Sequence, residues 1–322
     1  MSTTLLMLPP QTATTREWAA RLAAALPELS VVVADTPAEA AGSIGGAEAA
    51  FGTLPDPLLR EARRLRWLQA PQAAPPAGYY TTDLIAHPVV VTNFREIYND
   101  HISAHIMGFV LAFARGFHHY FPRQVRREWR REPLDRGVIH LPEATALIGG
   151  VGVIGAETAR LASAFGMHVM GVDARRKEAP AGVLKLDGPD ALDSLLPLAD
   201  FVNLTVPHTP ATVGFMHRER FRRMKRTAFF INIGRGMTTR LDDLVEALRA
   251  GEIAGAGLDV FEQEPLPADH PLWTMPGVLI TPHTAGHGPH LDERRFEVLI
   301  DNCRRFLAGQ PLRNVVDKSS WF

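Results

Sequence analysis

Between Arg16 and Leu26 the chain runs REWAARLAAAL, with apolar positions recurring every three or four residues, and the SVVVAD after it is short and almost wholly apolar. The first pattern predicts a helix with one buried face, the second a strand covered on both faces as in a parallel sheet. AEAAFGTL and LRWLQAP repeat the helix-then-strand rhythm, and HPVVVTN closes it with a strand over Pro88–Asn93. From His101 to Trp129 the spacing predicts one long helix, apolar in ISAHIMGFVLAFA and basic in RQVRREWRR. A second series starts at EATALIGG and continues through HVMGVD, ADFVNLTVP, AFFINIGRG, IAGAGLDVF and GVLITPH. Each is a short apolar run, then a loop, then a helical segment such as RLDDLVEALRAG, for which Gly251 is a C-terminal stop. A last helix over Leu291–Leu307 brings the chain back toward the first unit. The predicted fold is α/β, a doubly wound parallel sheet of Rossmann type with a second, smaller, discontinuous α/β domain of flavodoxin-like form.

Length agrees with two cores, because 322 residues exceed a usual single domain. With 46% hydrophobic and 21% charged residues and a formal net charge of -1, the chain has no field to draw nucleic acid or an anionic membrane, so small-molecule partners are expected. Cys303 is the one cysteine and has no partner for an intrachain disulfide, which fits a reducing compartment. LLML near the N-terminus is too short for a signal-peptide core, and IMGFVLAFA falls short of a membrane span. A soluble cytoplasmic protein is the expectation.

Candidate chemistry begins at ALIGGVGVIG, which sets Gly150, Gly152 and Gly155 in G-x-G-x-x-G spacing between an apolar strand and a helical segment. Glycines there permit a tight turn and close approach to a pyrophosphate, while the helix start offers unpaired N–H groups to the anion. The next strand ends in Asp173, eighteen residues beyond Gly155, where a carboxylate accepts ribose hydroxyls. Arg175 and Arg176 come next, and a guanidinium there suits the extra phosphate of NADP, which Asp173 would repel; NAD is favoured, with NADP open. The dinucleotide-binding domain is accordingly expected over residues 101–284, and a substrate-binding domain over 1–100 with 285–322.

Further strand ends offer Arg235 in FFINIGRGM, Asp259 and Glu264 in GLDVFEQEP, and His283 in LITPHTAGHG. An arginine between two glycines at the mouth of a core strand needs water or an anion. Together INIGRG, LDVFEQEPLP and ITPH, with LRWLQ, the glycine loop and the closing GQPLRNVV, resemble the D-isomer-specific 2-hydroxyacid dehydrogenases over nearly the whole chain, most securely from Leu147 to His283. The resemblance implies interconversion of a small 2-keto acid, such as glyoxylate or hydroxypyruvate, with its D-2-hydroxy acid by hydride transfer from a nicotinamide cofactor. It implies that Arg235 forks onto the carboxylate and keto oxygens, that His283 is the proton donor, and that Glu264 accepts the other imidazole N–H, fixing the tautomer. It implies also that Asp259 accepts from the nicotinamide carboxamide, and that Val153, Ile154, Val206, Pro207, Ile233, Gly234, Ala285 and Gly286 complete the cofactor surface with the residues already named.

Two stretches depart from the family. APQAAPPAGYY stands where a glycine-containing loop usually offers N–H groups to the substrate carboxylate; Pro75 and Pro76 have none, so a cradle there would use Ala73, Ala74 or Ala77 and Gly78. TNFREIYNDHISAH replaces a small glycine-bearing loop, leaving Arg95 either to recognise an acidic or polar part of the substrate or to form a salt bridge at the domain boundary. A homodimer is expected from the resemblance, with the apolar first half of the long helix as the physical hint. No grouping of His, Asp and Glu indicates a metal site. The rival function is an NAD(H)-sensing binding protein of the corepressor type, using the same cradle with little turnover.

Overall fold

The computed structural model describes residues 3–73, 78–131 and 138–319. They fall into two compact units, Met1–Ile97 with Pro289–Phe322 and Tyr98–Gly288. The cuts lie within four residues of the boundaries expected at 100/101 and 284/285.

In the first unit β1 (Thr3–Met7), α1 (Ala13–Ala25), β2 (Leu29–Val33), α2 (Pro37–Ile44), β3 (Ala49–Phe51), α3 (Asp56–Glu61), β4 (Trp67–Gln69), α4 (Thr82–Ala86) and β5 (Val90–Thr92) alternate along the chain. The strands pair in parallel in the order β2-β1-β3-β4-β5, the flavodoxin-like arrangement. LLML, weighed above only as a targeting segment, lies largely in β1, the interior strand that pairs with β2 and β3. Threonine hydroxyls start the helices: Thr12 with Thr15 forms a capping box on α1, and Thr36 and Thr81 accept from Glu39 N and Leu84 N. Leu6, Ile44, Leu68 and Val91 fill one face of the sheet, and the Trp18 ring meets Phe51, Phe94 and Phe296 on the other side.

The second unit opens with α5 (Asn99–Ala114) and α6 (Phe117–Arg126), where the spacing predicts a single helix. Gly116 takes a left-handed φ of 68°, a conformation glycine adopts without steric cost, and this breaks the run in two. Arg127, at φ 59°, ends α6 so that Trp129 lies outside the helix. Then come β6 (Thr145–Gly149), α7 (Val153–Ala164), β7 (His168–Val172), β8 (Lys185–Asp187), α8 (Leu192–Leu195), β9 (Phe201–Leu204), α9 (Arg218–Arg223), β10 (Phe229–Asn232), α10 (Leu241–Arg249), β11 (Gly255–Leu258) and β12 (Val278–Ile280). These seven strands are all parallel, in the order β12-β11-β10-β9-β6-β7-β8. The order reverses between β6 and β9, which makes their carboxyl ends the topological switch point where a doubly wound sheet binds its ligand. Apolar side chains cover both faces. On one of them Phe113 stacks on Phe229 at 4.3 Å between ring centres, and a Cβ on Gly257 would lie 2.8 Å from the Phe109 ring, so α5 sits directly on the sheet.

The chain then returns to the first unit as α11 (Leu291–Leu307), burying Phe296, Leu299 and Cys303. Asn302, fully buried, donates to Gln69 Oε1 at 3.3 Å, and Glu293 pairs with Arg21 at 2.6 Å. No helix among the described residues is long and apolar enough to cross a membrane.

Candidate active site

The glycine loop lies between β6 and α7, and its three glycines differ in what surrounds them. Gly150 adopts φ 90°, and Gly155 lies so close to the strand that a Cβ would stand 2.1 Å from Gly150 O. Around Gly152, by contrast, a Cβ would meet nothing within 4 Å, so the space next to the helix start is open. Gly152 caps α7 without a side-chain hydrogen bond, leaving the first-turn N–H groups to face that space. Glycine spacing, open volume and uncapped donors together fit a dinucleotide pyrophosphate. Val153 is exposed and Ile154 half-buried beside it.

Asp173 closes the loop from the end of β7. One carboxylate oxygen accepts from Val151 N at 2.7 Å, and the other from Arg175 N and Arg176 N, both at 2.8 Å. Arg176 Nε in turn donates to Val151 O at 2.7 Å. Much of the acceptor capacity expected for a ribose therefore shapes the turn, with the exposed Arg175 next to it. Val206 and Pro207 lie just past β9; Ile233 is buried, and a Cβ on Gly234 would approach Val206 O to 2.7 Å.

The turn that carries Arg235 is organised by Asn232, wholly buried at the end of β10. Its Oδ1 accepts from Gly234 N at 3.0 Å, and its Nδ2 donates to Arg235 O and to the hydroxyls of Thr238 and Thr239 at 3.0–3.3 Å. In the sequence Asn232 reads only as the end of a strand; a polar residue closing FFIN shortly before a glycine is the available signal. Arg235 Nη1 donates to Gly234 O at 2.5 Å, and among the described residues no carboxylate lies within ion-pair distance of its guanidinium. Burial holds the guanidinium below its ordinary pKa, and the Glu264 charge only partly opposes that. Such a cation is electrostatically unfinished and suited to an anion.

Glu264 and His283 meet as expected. Glu264 Oε2 lies 2.7 Å from His283 Nδ1, and Oε1 accepts from Phe261 N at 3.0 Å, which fixes the carboxylate in place. The imidazole is half exposed, with Nε2 making no hydrogen bond among the described residues. Asp259, 1% exposed at the end of β11, accepts from Thr281 Oγ1 at 2.6 Å, Thr284 N at 2.8 Å and Ala285 N at 2.9 Å. Gly286 comes next, near Tyr98 and Ile102. His105, on α5, contacts Thr281 Oγ1 at 2.9 Å; neither it nor Thr281 stands out in the sequence.

Of the residues expected at the substrate, Arg95 and Ala73 belong to the first unit, and Ala74 lies outside the described residues, as do Pro75, Pro76 and Ala77. Ala73 O accepts from Asn93 Nδ2 at 2.8 Å. Arg95 Nη2 donates to Val315 O at 3.2 Å. Among the described residues no group of three or more His, Cys, Asp or Glu is placed to hold a metal ion.

Comparison with known proteins identifies relatives of the whole chain. Residues 107–285 match the family described as D-isomer specific 2-hydroxyacid dehydrogenase, NAD binding domain. A glyoxylate reductase of Korarchaeum cryptofilum is 41% identical over 171 residues, 53% of this chain and 51% of that protein. A glyoxylate/hydroxypyruvate reductase B of Pectobacterium carotovorum is 41% identical over 172 residues, 52% of each chain. The chain thus spans about half the length of these curated relatives in the matched region. Among solved structures, a D-isomer specific 2-hydroxyacid dehydrogenase family protein of Aeromonas salmonicida is 33% identical with a TM-score of 0.79, covering 99% of this chain and 100% of that one. A D-isomer specific 2-hydroxyacid dehydrogenase of Xanthobacter autotrophicus, solved with NADPH and MES, is 29% identical with a TM-score of 0.86 and complete coverage of both chains. With its glycine cradle and the order of its strand-end residues, this chain belongs to the D-isomer-specific 2-hydroxyacid dehydrogenase family.

Proposed function

We propose that the protein reduces a small 2-keto acid of the glyoxylate or hydroxypyruvate type to the D-2-hydroxy acid, and runs the reverse reaction, with NAD or NADP. The observation that carries this is the Glu264–His283 pair at 2.7 Å together with Arg235, a guanidinium held with no ion-pair partner among the described residues. The Gly150–Gly155 cradle would hold the pyrophosphate of the dinucleotide, whose nicotinamide would supply the hydride. Arg235 binds the substrate carboxylate and polarises the keto oxygen through charge-assisted hydrogen bonds. Glu264 holds the Nδ1 proton, so Nε2 is the nitrogen that delivers a proton to the developing alkoxide. Asp259, Ala285 and Gly286 line the nicotinamide end, and Val206, Pro207, Ile233 and Gly234 the ring's other surroundings. The names of the relatives support the substrate class.

Purified protein mixed with NADH or NADPH and a panel of 2-keto acids should consume the reduced cofactor, and the product should be the D isomer by chiral chromatography. Cofactor binding without turnover on any member overturns the proposal in favour of a nucleotide-sensing role.

We propose also that the protein is a homodimer. Phe117, Phe121 and Val125, spaced by four residues along α6, are 42%, 52% and 84% exposed, an apolar stripe that a second copy would cover. Light scattering that reports a monomer at micromolar concentration removes this part.

A further inference from the structure

The turn from Thr281 to Ala285 is built around a single carboxylate. Asp259 takes the Thr281 hydroxyl and the N–H groups of Thr284 and Ala285 on its side chain, and its own backbone oxygen accepts from His283 N at 2.9 Å. At the centre of this wrap His283 adopts φ 55°, which a residue with a Cβ holds only when its surroundings over-determine it. Asp259 thus fixes the backbone from which the imidazole of His283 extends to Glu264.

Asp259 is itself steadied by something outside the turn. The Thr281 hydroxyl has one proton, and at 2.6 Å it goes to Asp259 Oδ1; the oxygen can then only accept from His105 Nε2 at 2.9 Å. This assigns His105 the tautomer with its proton on Nε2. Burial keeps the ring from charging, with the Asp259 charge opposing more weakly, so it acts as a neutral donor. Its edge rests on Phe109 at 4.9 Å between ring centres, and Phe109 is seated against β11 at Gly257. If the position served packing alone, an apolar side chain would fill it without hiding a ring nitrogen from water. The hydrogen bond to Thr281 is what a histidine adds.

We infer that His105 is a positioning residue for the reaction, acting through Thr281 and Asp259 to hold the His283 turn in its left-handed conformation; this rests on the proposed role of His283 as proton donor. The geometry makes Thr281 part of the same line, and makes Asp259 an organiser of the turn as well as a lining residue of the nicotinamide end. Loosening the line misplaces the proton donor while leaving the glycine cradle and Arg235 untouched.

The test compares His105→Ala, His105→Gln, Thr281→Val, the double variant His105→Ala/Thr281→Val and His283→Ala, assayed with hydroxypyruvate and NADPH or NADH. Thr281→Val removes only a hydroxyl from an isosteric side chain, so it keeps the question answerable if the alanine variant folds poorly. His105→Ala and Thr281→Val should each lower kcat on the order of tenfold or more, as a small misplacement of a reacting group does. KM for the keto acid, and cofactor affinity by fluorescence titration, should stay within about twofold, because uniform binding is untouched. His105→Gln should restore most of kcat by supplying an N–H donor, and the double variant should be no worse than the poorer single one, as for two members of one line. An unchanged kcat in both single variants overturns the inference, as does a loss that appears equally in cofactor affinity or that glutamine fails to relieve. Should His283→Ala keep full activity, it is the proposed function that fails, and the positioning role falls with it.

Discussion

Replacing Arg235 by methionine should have opposite effects on activity and on stability. The guanidinium donates to Gly234 O at 2.5 Å, and burial already depresses its pKa. Removing it forfeits that bond, about 1.5–3 kcal/mol for a charged donor, but relieves a desolvation cost of several kcal/mol per ion. Because part of the side chain still reaches solvent, the relief belongs at the low end of that range. A net gain of about 1 kcal/mol is expected, a rise in Tm of roughly 2–4 °C for a unit of this size. Methionine keeps the length of the apolar stem, so no large cavity offsets it. Activity goes the other way: two charge-assisted bonds to substrate at about 1.5 kcal/mol or more each make at least about 3 kcal/mol, a loss in kcat/KM of about a hundredfold or greater. Thermal melts followed by circular dichroism without cofactor, beside steady-state rates with hydroxypyruvate, measure both. A Tm several degrees below the parent, restored by Arg235→Lys, would show the arginine to be structural, and a kcat/KM close to the parent's would refute its role as anchor.

Other outcomes rest on single observations. Gly236→Ala puts a Cβ 1.8 Å from Phe261 O, a backbone atom with little room to move, so urea unfolding should show a loss of about 3 kcal/mol or more, or no soluble protein at all. Burial, with a smaller contribution from His119, pushes buried His118 down to about 4. Since the unfolded chain takes up that proton first, near its ordinary value of about 6.5, the stability is fully present above that pH and lost as pH falls toward the folded value; allowing for screening, about 1–2 kcal/mol of this slope should vanish in His118→Phe, read by urea unfolding across the window. With Arg175 proposed as the contact of the extra phosphate of NADP, Arg175→Ala should weaken NADPH about tenfold and NADH by less than about twofold in fluorescence titrations; equal weakening of both cofactors sinks that assignment. Burial pushes the Cys303 thiol up to about 12, so a disulfide reagent should modify it only after denaturation.

Much of this is legible in the sequence because the information is local. The last helix runs from Leu291 to Leu307 as expected, since its apolar positions keep helical spacing throughout. The main strands of the larger sheet fall inside the apolar segments that predict them, because a strand covered on both faces writes an unbroken apolar run. Where the legible pattern ends, tertiary context takes over. Gly116 sits in a helical spacing, and only its left-handed conformation shows the break between α5 and α6. KLD is too short and polar to announce β8, an edge strand that pairs with β7 alone. The meeting of Glu264 with His283 is foreseeable through a resemblance. The buried supports, Asn232, Thr281 and His105, are not, since a small polar side chain acquires its meaning from neighbours distant in sequence.

The first unit is assembled from two separate stretches of the chain, and this sets an order of events during synthesis. Residues Tyr98–Gly288 are contiguous, so their sheet needs no segment that follows them in the chain. The five-stranded sheet must wait: Trp18 lacks the Phe296 ring, and Gln69 lacks the Asn302 amide, until that helix has emerged. A loop of more than two hundred residues separates Gln69 from Asn302, yet a compact unit formed in between shortens the effective distance its ends must search. The nucleotide cradle is thereby ready before its companion is, and a nascent chain can already gain stability from cofactor while its first hundred residues remain without their final partner.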